Sequence, residues 1–149
     1  MTDATLMDNL PDPDRHADFY AGVTTKRGLA WLADILLIFV VTMVIVPLTA
    51  FTALFFYPLL FMAVGFVYRW WTLSRGSATW GMRLFGIEFL NRHGQRLDGG
   101  EALLHVVGYM LSIGTLLVQL LSIGLMLTTK RGQGLTDLVL GTVAVNRVA

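Results

Sequence analysis

The sequence predicts an all-α membrane protein: two full transmembrane helices, a third apolar segment, and a small cytoplasmic β element. Three observations carry that expectation. Of 149 residues, 55% are hydrophobic and 14% charged, too little polar surface to cover a soluble core. From Gly28 to Tyr68 the only ionisable side chains are Asp34 and two tyrosines, and an apolar run of that length reads as membrane-spanning helix. Two β-prone runs, Leu84–Leu90 and Gly141–Val145, lie outside the apolar stretches.

Charge distribution narrows the class further. Residues 1–25 carry Asp3, Asp8, Asp12, Asp14 and Asp18 against Arg15 alone, while the remainder is basic, and the two parts leave a formal net charge of +1. Because the basic excess sits beside apolar runs, it reads as a cytoplasmic-face signature and not as a nucleic-acid footprint. The expected partner is therefore the lipid bilayer, with no nucleic acid. The absence of cysteine excludes disulfides, thiolate metal sites and cysteine nucleophiles. His16, His93 and His105 make no metal set. No Gly-x-Ser-x-Gly, phosphate loop or zinc-protease motif is present, so neither enzyme activity nor a cofactor is expected.

Residues 1–18 are acidic, contain Pro11 and Pro13, and lack the basic start and apolar stretch of a secretory signal. They read as a disordered cytoplasmic tail, leaving 19–149 as the membrane domain. Phe19-Tyr20-Ala21-Gly22-Val23 is an aromatic step suited to the membrane interface ahead of Lys26 and Arg27.

Residues 26–73 are too long for one span, so two helices are expected, about 26–48 and about 53–73, joined near Pro47 and Pro58. Both prolines suit helix ends or first turns, although Pro58 is also compatible with a kink. No Lys or Arg lies between the helices, whereas Arg69, Arg75, Arg83, Arg92 and Arg96 follow at or beyond the second. The positive-inside rule then puts the N-terminus and residues 69–101 in the cytoplasm, as a multi-pass protein of the inner (plasma) membrane. Tyr68, Trp70 and Trp71 suit an aromatic belt at that face.

Between Glu101 and Lys130 lie 28 residues without a fixed charge. One tilted span would cover them, or the chain bends at Ser112-Ile113-Gly114 and returns as a short hairpin. The return path keeps Lys130, Arg131 and Arg147 inside and lets the two β-prone runs pair, although each arm is shorter than a full span. Gly108, Gly114 and Gly124 are candidate close-packing or bending points.

These pieces resemble the RDD family of small membrane proteins, named for one arginine and two aspartates. Arg27, Ala30 and Asp34 match its Arg-x-x-Ala-x-x-x-Asp pattern. Thr79-Trp80-Gly81-Met82-Arg83-Leu84-Phe85-Gly86-Ile87 is similar to its loop, and Gly134-Leu135-Thr136-Asp137-Leu138-Val139-Leu140-Gly141-Thr142-Val143 to its closing motif. The similarity runs from about Ala21 to Asn146. Ser77 replaces a common glycine, while Met82, Thr136 and His105 stand where lysine, histidine and arginine are common. What the resemblance implies is transport of small ligands or cation/proton exchange, activities ascribed to some members.

Asp34 is the first site candidate. It lies seven residues after Arg27, on the same helix face about 10 Å further on. A carboxylate at that depth is either a proton- or cation-binding group or a polar anchor bonded to another helix. Arg27 is either the charge partner of Asp137 or an anchor reaching to headgroups. Asp137 is placed to cap a short helix or to pair with an arginine, and Arg83 is a second candidate partner for either aspartate. His105 titrates in a range suited to proton relay, with Gln119 as a polar neighbour.

Two functions follow: a transporter-like protein coupled to an ion or proton through Asp34, or a non-transporting assembly or scaffold subunit. A chain this small would need a homo-oligomer or a membrane-protein partner to enclose a pathway.

Overall fold

The computed structural model of the chain describes residues 10–147. Helices α1 (Val23–Leu48) and α2 (Tyr57–Gly76) are long and apolar enough to cross a membrane. Along α1 the buried residues Ala30, Asp34, Ile38, Thr42 and Val46 recur every four positions. They form one stripe against α2, while Leu32, Leu36, Phe39, Val40 and Val44 stand exposed. An outward apolar face of this kind is what a helix in lipid presents. Thr42 sits in the stripe because its hydroxyl donates to the Ile38 carbonyl at 2.6 Å. Pro58 occupies the first turn of α2, where a missing N–H costs nothing, and does not kink it.

After α2 the chain makes a tight corner at Ser77, whose φ of 57° is left-handed. Such a position favours glycine. Serine holds it because its hydroxyl donates to Phe89 O at 2.6 Å and accepts from Leu97 N at 2.9 Å. A short helix α3 (Trp80–Leu84) follows, capped by Thr79 through Met82 N. Leu84, expected to start a strand, ends this helix instead, so β1 is confined to Ile87–Leu90.

Helix α4 (Gly99–Gly114) begins at a capping box in which Asp98 and Glu101 each accept the other's backbone N–H, at 2.8 and 3.0 Å. It breaks at Thr115, and α5 (Leu116–Thr128) leaves at a bend of 116°. A short α6 (Leu135–Leu140) and β2 (Val143–Asn146) complete the chain. Gly141, with φ of 74°, terminates α6 and delays the second strand to Val143.

Strands β1 and β2 pair antiparallel, with Phe89 opposite Ala144. This pairing decides the path of the third apolar segment. Residues before α4 and after α6 are held side by side, so 99–128 leaves the sheet and returns to it. The bend explains how two arms of 16 and 13 residues do this.

The main core lies under the sheet. It joins Val23 and Ala30 of α1, Leu73 of α2, Met82 of α3, Ile87 and Phe89 of β1, Ala102 and Val106 of α4, and Ala144 of β2. Residues 10–18 differ from the expected disordered tail. Leu10 is buried against Val143 and Val145, and the Tyr20 hydroxyl donates to Pro11 O at 2.7 Å. Residues 1–9 of that tail lie outside the described residues.

Candidate functional site

Two buried carboxylates organise the interior. Asp34, 2% exposed, faces α2 and α3 from the middle of the α1 stripe. Its Oδ1 accepts from the Tyr68 hydroxyl at 2.6 Å and from Gly81 N at 2.9 Å, and its Oδ2 accepts from the Thr79 hydroxyl at 2.6 Å. Arg69 Nη1 stands 3.8 Å from Oδ2, an ion pair too long to be a hydrogen bond. Gly81 is required by proximity: a Cβ there would run into the Ala30 carbonyl oxygen and lie 2.7 Å from Asp34 Oδ1. The amide can reach the carboxylate only because the side chain is a hydrogen.

Asp137, 1% exposed, sits in α6 at the sheet end. Oδ2 accepts from Arg27 Nη1 at 2.6 Å and from Gly134 N at 3.0 Å, so the residue both pairs with arginine and caps its own helix. Oδ1 accepts from the Thr142 hydroxyl at 2.9 Å, and His105 Nε2 lies 2.9 Å from the same oxygen. Burial pushes this carboxyl up. The Arg27 guanidinium and the His105 ring outweigh it and hold the group well below the ordinary carboxylate value. Arg27 also donates to Gly132 O at 3.0 Å and lies over the Phe89 ring, 5.3 Å from its centroid.

The structure thus brings Arg27, His105 and Asp137 together and places Asp34 in a second cluster. Arg83 joins neither. Its guanidinium packs against Gly76 at the end of α2. Met82 is buried in the core, and Thr136 fits against Gly108, where a Cβ would stand 2.6 Å from the threonine methyl. Gly108 is therefore a close-packing point. Gly114 precedes the bend, and Gly124 meets open space.

Both clusters open into one cavity of about 550 Å³ lined by α1, α2, α4, α5 and α6. Its lining includes Arg27, His105 and Asp137 of one cluster, Asp34, Arg69 and Thr79 of the other, and the apolar side chains Trp31, Ile113, Ile123 and Leu127. Ser112 donates to Gln119 Oε1 at 2.8 Å across the α4–α5 bend, and both line the space. Trp31 Nε1 donates to the Tyr109 hydroxyl at 2.7 Å, a strut between α1 and α4. Among the described residues α1 and α5 touch at the Thr24 hydroxyl, which donates to Met126 O at 3.2 Å, without an extended interface, and Trp31, Ile123 and Leu127 are exposed. The cavity is therefore open sideways between those two helices. Among the described residues no cluster of three His, Asp or Glu side chains could hold a metal ion.

Reading residues alone missed four Asp34 contacts: Tyr68, Arg69, Thr79 and Gly81. A signal was present. In an antiparallel hairpin, residues equally far from the turn lie at equal depth. Asp34 is 14 residues before the end of α1, and the same distance into α2 reaches Trp71, within one turn of Tyr68 and Arg69.

The family model described as the RDD family matches residues 20–141. No curated protein and no solved structure matches the chain.

Proposed function

The chain belongs to the RDD family, and we propose that it is a solute-binding, transporter-like membrane protein whose site is the cavity between α1, α4 and α5. One observation carries this reading. Both buried carboxylates, two arginines and His105 line a single cavity of about 550 Å³ among apolar helices. That volume lies within the roughly 300–1,000 Å³ of ordinary ligand sites, and an apolar wall with a few convergent polar groups is their usual chemistry.

In this reading Asp34 is a structural strut and not the coupling group that its position also suits. Its two oxygens accept three hydrogen bonds of 2.6–2.9 Å from α2, α3 and the turn between them. A carboxylate held this way is a strut that locks α1 to α2 and α3. In this reading ion coupling falls to the Arg27–His105–Asp137 cluster, where an imidazole contacts a carboxylate at 2.9 Å.

A multi-pass arrangement in the inner membrane with a cytoplasmic N-terminus is supported by where the charges gather. Lys26 bonds Asn146, Arg27 bonds Asp137, Arg147 and Arg96 lie by Glu88, and Lys130 lies by Asp14, all at the sheet end. Basic residues collected at one end of a bundle favour the cytoplasmic side. The sideways opening supports a second copy or the bilayer itself as the missing wall.

The test is proton flux driven by a Na⁺ or K⁺ gradient in liposomes holding the purified protein. Parent, Asp34→Asn and the cavity-filling Ile123→Trp are compared. Flux in the parent that vanishes in folded Ile123→Trp supports the reading. Parent flux that Ile123→Trp leaves unchanged contradicts the cavity, and loss in folded Asp34→Asn would return the coupling role to Asp34.

A further inference from the structure

Among the described residues, one charged group that lines the cavity has no hydrogen-bond partner. Arg69 is 8% exposed and lines the cavity, and a guanidinium carries five N–H donors. Its contacts are the 3.8 Å ion pair with Asp34 and a stacking position over the Tyr109 ring, 4.4 Å from the centroid. Nη2 is buried and has no hydrogen-bond partner among the described residues. Burying a charge without hydrogen bonds is costly, and natural interiors rarely leave a guanidinium in that state.

Asp34 does not relieve the imbalance. Its oxygens accept from Tyr68, Thr79 and Gly81, three uncharged donors, and Arg69 Nη1 stays 3.8 Å from Oδ2, beyond hydrogen-bond reach. At the other end Arg27 is matched by Asp137 at 2.6 Å. The surplus of donors is therefore local to Arg69. The same cavity is lined by Ile113, Ile123 and Leu127, apolar side chains that are also exposed on the outside of the bundle.

We propose that Arg69 binds the oxyanion head, a carboxylate or phosphate, of a single-chain amphiphile that enters sideways from the bilayer and lays its chain along Ile113, Ile123 and Leu127. The planar guanidinium fork matches both head groups, and the Tyr109 ring holds it in one orientation. The sideways opening gives a molecule dissolved in lipid an entry that avoids water. This assignment rests on the cavity being the solute site and adds the class of solute.

Full-length protein in phosphatidylcholine nanodiscs is titrated with dodecanoate, dodecyl phosphate, dodecanol and inorganic phosphate, and saturable binding above that of empty nanodiscs is measured. The proposal expects the two charged amphiphiles to bind about tenfold or more tightly than dodecanol. Arg69→Gln should abolish that preference while dodecanol binding persists, and Ile123→Trp should weaken all three chains. Arg69→Lys keeps a charge beside Asp34 but loses the fork, so it should fold as the parent does and fall between parent and Arg69→Gln. Equal binding of all three chains, unchanged in folded Arg69→Gln or Arg69→Lys, overturns the Arg69 assignment and leaves the cavity reading standing. Arg69-dependent binding of inorganic phosphate with none of dodecyl phosphate overturns the amphiphile and keeps the oxyanion site. No saturable binding of any probe by folded parent overturns the proposal, and the flux experiment then judges the cavity independently.

Discussion

Arg27 Nη1 and Asp137 Oδ2 meet at 2.6 Å although 110 residues separate them in the chain. The bond ties the first turns of α1 to α6, beside the sheet that pairs residues 87–90 with 143–146. Asp137 also receives Gly134, His105 and Thr142, so removing it strands four donors.

Asp137→Ala should therefore destabilise the protein by about 3–5 kcal/mol, the usual cost of breaking a buried pair from one side. Arg27→Leu combined with Asp137→Leu should cost less than Asp137→Ala alone, because no charge is left stranded. Thermal unfolding in detergent, followed by circular dichroism, checks both.

The same carboxylate sets a pH dependence. Burial raises its pKa, Arg27 and His105 together lower it by more, and the folded value lies below the unfolded one of about 3.9. A depressed acid contributes stability that is complete above the unfolded value and lost as pH falls through the folded value. The gap in unfolding temperature between parent and Asp137→Asn should thus narrow as pH falls below about 4. A gap that widens below that pH would contradict the sign.

Gly81→Ala places a methyl against the Ala30 carbonyl and Asp34. Overpacking of this kind costs about 1–3 kcal/mol, and the loss of the Gly81 amide contact adds to it. Gly124→Ala, on a helix with open space around the new Cβ, should be neutral or slightly stabilising, since alanine favours helix by up to about 1 kcal/mol. Unfolding midpoints of the two variants should move in opposite directions or differ clearly in size.

At Ser77 two effects separate. Ser77→Ala and Ser77→Gly both lose the bonds to Phe89 O and Leu97 N. Only glycine relieves the left-handed φ of 57°. Ser77→Gly should be the more stable of the pair by about 1 kcal/mol, and a reversed order in thermal unfolding would show that backbone strain is not felt there.

Much of this architecture was legible because membrane helices announce themselves by length and apolarity. The α1–α2 hairpin follows from local pattern plus charge, while local pattern leaves two readings open both for Pro58, a first turn or a kink, and for the third apolar segment, a single span or a return. The Arg27–Asp137 pair stood beside the commoner expectation of a headgroup anchor, and only the sheet closure brings α6 to the start of α1. Tyr68 and Arg69 read as interface aromatic and cytoplasmic-side cation, which describes their position but hides their partner. Neither hydropathy nor propensity encodes the depth at which two helices face each other. Leu10 was read as tail because its burial partners, Val143 and Val145, lie at the opposite end of the chain.

The most direct test of the central claim, that the cavity is a solute site, uses the absence of cysteine from the chain. Ile123→Cys puts one thiol on the cavity wall, and Leu121→Cys puts one on the exposed opposite side of α5. The rate of N-ethylmaleimide labelling is measured for each in nanodiscs with and without dodecanoate. The account predicts slower labelling at position 123 only. Equal rates with and without dodecanoate at 123, or the same slowing at 121, would contradict it.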